Sequence, residues 1–167
     1  VHPYNHPHII AGQSTAAQEL LEQASNLDIV IAPVGGGGLL SGTSLAVNHI
    51  SPHTEVWGAE PARADDAYRS FYSNHLVPSV LPQTICDGLL TSLGDLTFSV
   101  IKNFTKGIVT VREETIIQAM NLIWQRLKIV VEPSAAVPLA VLLEQKLPIK
   151  GKRVGIILSG GNVDTSR

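Results

Sequence analysis

The sequence holds a single cysteine, Cys86, and only eight aromatic residues: three Phe, three Tyr and two Trp. One cysteine rules out an internal disulfide framework and suits a reducing compartment, so a cytoplasmic protein is expected. Charge of neither sign is in excess: 12 basic against 14 acidic side chains leave a formal net charge of −2. With no basic patch, nucleic acid is not an expected partner. No apolar run is long enough to span a bilayer and no signal-peptide pattern opens the chain, so no membrane partner is expected. The first residue is Val1, and Val1-His-Pro-Tyr4 reads like the interior of a longer protein. The expectation is a fragment. Internal repeats are absent, as are low-complexity segments apart from one run of glycines.

What is present is a hydrophobic content of 44% and a charged fraction of 16% over 167 residues, enough for one real core. Apolar, β-branched runs predict strands at Leu27 to Val34, Glu55 to Ala59, Gly107 to Val111 and Arg153 to Leu158. Helical patterns fall at Ser14 to Ala24, Leu39 to Ile50, Ala64 to Tyr72, Glu113 to Leu127 and Ser134 to Gln145. Ser14 and Ser134 are the expected N-caps. Near-continuous apolar strands alternating with helices imply an α/β fold, a mostly parallel sheet flanked by helices on both faces. Ser73 to Asp95, with Pro78, Pro82 and Gly94, reads as a long excursion from that pattern.

The run of glycines ends the first strand: Ile29-Val-Ile-Ala-Pro-Val-Gly-Gly-Gly-Gly38, with a predicted helix directly after it. Four glycines in a row are costly to order. At the carboxyl end of a parallel strand they let the backbone approach a ligand, and the following helix start offers free N–H groups and partial positive charge. A phosphate cradle is the physical expectation, and a tight turn with close helix–sheet packing is the alternative. No lysine follows Gly42, so a nucleotide P-loop fails. Gly-x-Gly-x-x-Gly fails as well, because its third position falls on Leu40 or Ser41. Glu60, at the end of the second strand, imitates a ribose-binding acid and keeps a nicotinamide enzyme as runner-up. A second strand end, Ile156-Ile-Leu-Ser-Gly-Gly-Asn162, pairs with the first: phosphate on the tetraglycine, a ring nitrogen on the Ser159 hydroxyl.

Pro33-Val-Gly-Gly-Gly-Gly38, Gly58-Ala-Glu-Pro61, Thr84-Ile-Cys-Asp-Gly88, Val131-Glu-Pro-Ser134 and Leu158-Ser-Gly-Gly-Asn162 occur in the order seen in fold-type II pyridoxal-phosphate enzymes. From His2 to Asp164 the chain resembles the serine racemase and threonine/serine dehydratase group. The resemblance implies that residues 1–167 form most of the larger, tryptophan synthase β-like domain. It implies pyridoxal 5'-phosphate as cofactor, with Gly35, Gly36, Gly37, Gly38 and Leu39 at its phosphate and Ser159 at its pyridine nitrogen. Gly88 and Glu132 would line the ring and substrate side, although Glu132 also reads as an acid at a helix start. In Glu60-Pro-Ala-Arg-Ala-Asp-Asp66 it implies a divalent cation, Mg²⁺, Ca²⁺ or Mn²⁺, on the carboxylates of Glu60 and Asp66 and the carbonyl of Ala64. The alternative there is a carboxylate pair capping the next helix.

The group holds its cofactor as a Schiff base on a lysine in a Ser-x-Lys context. None of the six lysines, Lys102, Lys106, Lys128, Lys146, Lys150 and Lys152, stands in one. The expectation is that this lysine, a substrate-carboxylate loop and the small domain lie upstream of Val1, and that residues 1–167 alone are inactive. The resemblance implies a homodimeric ammonia-lyase that turns L-threonine or L-serine into a 2-oxoacid and ammonia. A serine or hydroxyaspartate racemase or lyase on the same scaffold is the alternative, and a non-catalytic binding module the alternative from another class. Tyr4 stands where mammalian serine racemases have asparagine, a departure that leans toward elimination. Ser14 replaces a usual glycine without functional consequence. His2, His6 and His8, among prolines with no cysteine nearby, are not expected to hold zinc. Cys86 is expected to be a small buried residue.

Overall fold

The structure is a computed structural model and describes residues 1–164. In chain order it forms α1 (Pro7–Gln23), β1 (Ile29–Pro33), α2 (Gly38–Ile50), β2 (Glu55–Pro61), α3 (Asp66–Ser73), α4 (Asp95–Phe104), β3 (Gly107–Val111), α5 (Glu113–Leu122), α6 (Pro133–Leu143) and β4 (Val154–Ile156). The four strands make one parallel sheet in the order β3-β2-β1-β4. The α/β expectation with a parallel, helix-flanked sheet holds.

Burial explains the layering. Every residue of β1 is buried, as a central parallel strand covered on both faces requires. Its side chains alternate: Val30 and Ala32 pack with Leu40 and Val47 of α2 and Ile101 of α4, while Ile29 and Ile31 pack with Ile116 of α5 and Val137 and Val141 of α6. After β1 the chain moves outward through α2 to β2 and then to β3. It returns through α5 and α6, on the opposite face, to lay β4 on the other side of β1. The winding therefore reverses between β1 and β4. At such a switch point the connections at the carboxyl ends part in opposite directions and leave a crevice.

Several boundaries differ from the sequence reading. α1 begins at Pro7, a full two turns before Ser14. The His6 side chain caps it by accepting the His8 N–H, and Pro7 sits at the first helical position, where its fixed φ suits a helix and its missing N–H costs nothing. Ser14 instead turns its hydroxyl back to the Ala11 carbonyl (2.6 Å). The second half of the histidine segment is thus a capped helix start. α6 begins at Pro133 with Glu132 at the N-cap position, so Ser134 is inside the helix and free to bond elsewhere. The helix expected over Glu113 to Leu127 is α-helical only to Leu122, continues as a wider π-type turn over Ile123–Leu127, and stops at Lys128 with φ 58°. α4 was not foreseen. It falls at the end of the segment read as an excursion, and its start is set by Gly94 N–H donating to the Thr97 hydroxyl (3.0 Å). Cys86 is wholly buried, and burial pushes its thiol up to about 12, which leaves it inert as a nucleophile. No helix among the described residues is long and apolar enough to cross a membrane.

Candidate active site

At the reversal between β1 and β4 lies an open cleft of about 280 Å³, at the small end of the range for ligand pockets. The loop after β1 forms its floor. The loop after β4 brings Ser159 to it, the 88–91 segment and the start of α6 form one wall, and Pro3, Tyr4 and the first turns of α1 the other. All eight residues expected to hold the cofactor, Gly35, Gly36, Gly37, Gly38, Leu39, Gly88, Glu132 and Ser159, line this one cleft.

The glycines are demanded first by the protein. A Cβ on Gly36 would clash with the Tyr4 ring. Gly37 has φ 89°, a left-handed conformation that a side chain resists, and a Cβ there would lie 2.7 Å from Leu93. The tight-turn alternative therefore describes the back of the loop correctly. It does not account for the front. Gly37 is the N-cap of α2 and offers no side chain to its first turn, so the helix's leading N–H groups have neither an intrahelical acceptor nor a side-chain cap. They head a 13-residue helix with its positive end in a cleft, an arrangement that favours an anion.

The opposite side is tied together by Glu132 and Ser134. Glu132 N–H donates to the Gly160 carbonyl (3.1 Å), and its carboxylate accepts the Asn162 N–H (3.0 Å). One residue thus fixes the Ser-Gly-Gly-Asn loop against the start of α6. Glu132 occupies the N-cap position of α6 and also lines the cleft. Ser134 Oγ accepts the Gly88 N–H (3.1 Å) and holds the 87–89 turn in place. Sequence reasoning missed that bond, as it missed Gln13 and Thr91 on the cleft wall. It missed Thr97 too, because Gly94-x-x-Thr97 lacks the side chains of the usual capping signature.

The expected cation ligands lie apart from the cleft, where β2 runs into α3. Glu60 is wholly buried on β2, and its two carboxylate oxygens accept the N–H groups of Ala67 (3.0 Å) and Tyr68 (2.9 Å). It does cap α3. Asp66 is different: it is 1% exposed, and neither carboxylate oxygen makes a hydrogen bond of ordinary length. Burial, with the neighbouring acids, lifts both carboxyls, Glu60 well above its usual range and Asp66 to about 6. Ala64 lies in the turn between them, its N–H on the Pro61 carbonyl (3.0 Å). Among the described residues no three His, Cys, Asp or Glu side chains form a metal cluster. The donors present are two carboxylates and backbone oxygen, the hard set that suits Mg²⁺, Ca²⁺ or Mn²⁺ with water completing the shell. An unpaired buried carboxylate is costly, and a cation beside Asp66 would remove that cost. The residues fit the ion.

The family model for pyridoxal-phosphate-dependent enzymes matches residues 1–160. The chain belongs to this family. It is 52% identical to the beta-hydroxyaspartate dehydratase of Paracoccus denitrificans over 167 residues, which is all of this chain and 53% of that protein. The crystal structure of serine racemase from Dictyostelium discoideum superposes with a TM-score of 0.94 at 49% identity, covering 98% of this chain and 53% of that one. The threonine deaminase of T.th. gives a TM-score of 0.94 at 45% identity, covering 100% of this chain and 63% of that one. The chain thus spans about half the length of the curated relatives it matches. Lyases and racemases of amino acids share this pyridoxal-phosphate scaffold, and the nicotinamide alternative falls away.

Proposed function

We propose that the protein is a pyridoxal-phosphate-dependent ammonia-lyase that converts a β-hydroxy amino acid, L-threonine or L-serine, to a 2-oxoacid and ammonia. The observation that carries this reading is the cleft at the chain reversal, with an uncapped helix start at one end and Ser159 at the other. The cofactor, when bound, supplies the electron sink that makes the α-proton of an amino acid removable. The chain's own residues do the rest of the holding. The N–H groups of the loop and of Leu39 take the phosphate. Ser159 meets the pyridine nitrogen with a neutral hydroxyl, which cannot hold that nitrogen protonated as a carboxylate would. This favours prompt loss of a β-hydroxyl over a long-lived carbanion. Gly88 and Glu132 wall the ring and substrate side. In balance, the substrate loses its α-proton and β-hydroxyl as water, and a second water releases ammonia and leaves the 2-oxoacid.

No lysine among the described residues lines the cleft. The lysine that carries the cofactor is therefore assigned to a segment outside these 167 residues, and the chain to most of the larger domain of a homodimeric enzyme. Glu60, Ala64 and Asp66 hold a divalent cation that stabilises the end of β2. A second reading, a hydroxyaspartate lyase, is favoured by the name of the Paracoccus relative. A racemase of the same scaffold is the third, and Tyr4 in place of asparagine leans against it. The test gives the whole protein, pyridoxal phosphate and Mg²⁺ in turn L-serine, L-threonine and L-threo-3-hydroxyaspartate, following 2-oxoacid and D-amino acid together. Oxoacid from serine or threonine alone is the expected result. Oxaloacetate from hydroxyaspartate alone moves the assignment to the second reading, D-serine moves it to the racemase, and no product from any of them overturns the proposal.

A further inference from the structure

We infer that Thr97 is a positioning residue for the phosphate-binding loop, its hydroxyl fixing the Gly36–Gly37 peptide so that the Gly37 N–H faces the cleft. The inference rests on the reading of the cleft as a pyridoxal-phosphate site. Thr97 is wholly buried in the first turn of α4, and its Oγ donates to the Gly36 carbonyl at 2.8 Å. The same oxygen accepts the Gly94 N–H at 3.0 Å, and of the two carbonyls its proton can reach, Gly36 at 2.8 Å is nearer than Gly94 at 3.2 Å. The peptide is trans, so its C=O and N–H point in opposite directions. With the carbonyl held on α4, the N–H is turned to the other side of the loop, where Gly37 lines the cleft.

This orientation needs holding. Gly37 has φ 89° and ψ 1°, close to the values of the third residue of a type II turn. The type I alternative differs by a flip of the central peptide, which brings φ at this residue to about −90°. Between two glycines no side chain opposes the flip. The flip would swing the Gly36 carbonyl toward the anion and take the Gly37 N–H away from it. Thr97 selects the first arrangement by giving the carbonyl a buried partner that the flipped loop would abandon. Its own position is set by Asn5, whose Oδ1 accepts the N–H groups of Leu96 (3.0 Å) and Thr97 (3.2 Å) while its Nδ2 donates to Asp95 (2.6 Å). Tyr4, the next residue back, lays its ring on Gly36. The loop is gripped between these two supports.

The test measures binding constants of the whole protein for pyridoxal phosphate and for pyridoxal, which lacks the phosphate. Thr97→Val keeps the shape and removes the hydroxyl, and Thr97→Ser restores it. Thr97→Val is expected to weaken pyridoxal phosphate about tenfold, the scale of one buried hydrogen bond to a polar group, and to leave pyridoxal unchanged. Thr97→Ser is expected within about twofold of the wild type on both, since its hydroxyl restores the bond. A Thr97→Val protein that binds pyridoxal phosphate as the wild type does, or loses both ligands equally, overturns the inference. Should that variant not fold, Asn5→Ala, which loosens the first turn of α4 from outside, is expected to weaken pyridoxal phosphate alone by about threefold. An equal effect on both ligands, or none, again overturns it. Wild-type protein that binds no pyridoxal phosphate removes the reading of the cleft itself, whereas normal wild-type binding with an unchanged Thr97→Val removes only the role of Thr97.

Discussion

The cleft floor and the Asp66 pocket are unfinished in opposite ways. At the start of α2 the protein has satisfied the carbonyl side of its glycine loop, with Gly36 on Thr97, and left N–H donors without acceptors. At the start of α3 it has satisfied the donors, with Ala67 and Tyr68 on Glu60, and left Asp66 oxygens without donors. The contrast is between a helix whose N-cap is glycine and one whose first turn is capped by a carboxylate from a neighbouring strand. Glycine leaves the dipole's positive end free for a ligand. Glu60 occupies that end within the protein, and the second acid beside it is left without a close hydrogen bond. On the proposed reading the first site takes an anion and the second a cation.

The sharpest way to break the comparison is to fill the first site with protein. Gly37→Ala adds a Cβ at φ 89° and 2.7 Å from Leu93. The strain and overpacking are expected to cost about 2–5 kcal/mol and to abolish pyridoxal-phosphate binding, checked by denaturant unfolding and absorbance titration. Next in size is the cation site. At 100 times its dissociation constant a divalent cation is expected to stabilise the protein by about 2.7 kcal/mol, read as a rise in Tm. Asp66→Asn is expected to abolish that rise and to leave the cation-free protein equal to or more stable than the wild type. A cation-induced Tm rise of the same size in Asp66→Asn would refute the assignment. Smaller is Ser159→Ala, which removes one hydrogen bond of about 1 kcal/mol and is expected to weaken the cofactor about fivefold without changing Tm. Least of all, Ser134→Ala frees the Gly88 N–H at an exposed turn, with an expected loss of about 0.5–1 kcal/mol in thermal unfolding.

Both sites were partly legible before the structure. Parallel strands and their order of appearance follow from apolar, β-branched runs, and the glycines at one strand end with Ser159 at another placed the cleft. What periodicity does not encode is who satisfies whom across long separations. Thr97 and Gly36 stand 61 residues apart, and Asn5 reaches α4 over 91. α4 was missed because it is short and starts only where the segment with Pro78, Pro82 and Gly94 ends, which left Val100 and Ile101 without an assigned element. Ser14 misled because serine is a strong cap by preference, while the pair His6-Pro7 had already begun the helix. The resemblance implied Glu60 and Asp66 as a pair of cation ligands, but only burial separates the carboxylate that caps a helix from the one beside it that does not.

The central claim is that the N–H groups heading α2 take a phosphate. It is tested most directly by titrating the whole wild-type protein with pyridoxal phosphate and with pyridoxal in parallel. The account expects saturation at one pyridoxal phosphate per chain with an affinity at least about a hundredfold above that for pyridoxal, as several charge-assisted hydrogen bonds require. Equal affinity for the two would contradict it, because the phosphate would then be bound to nothing.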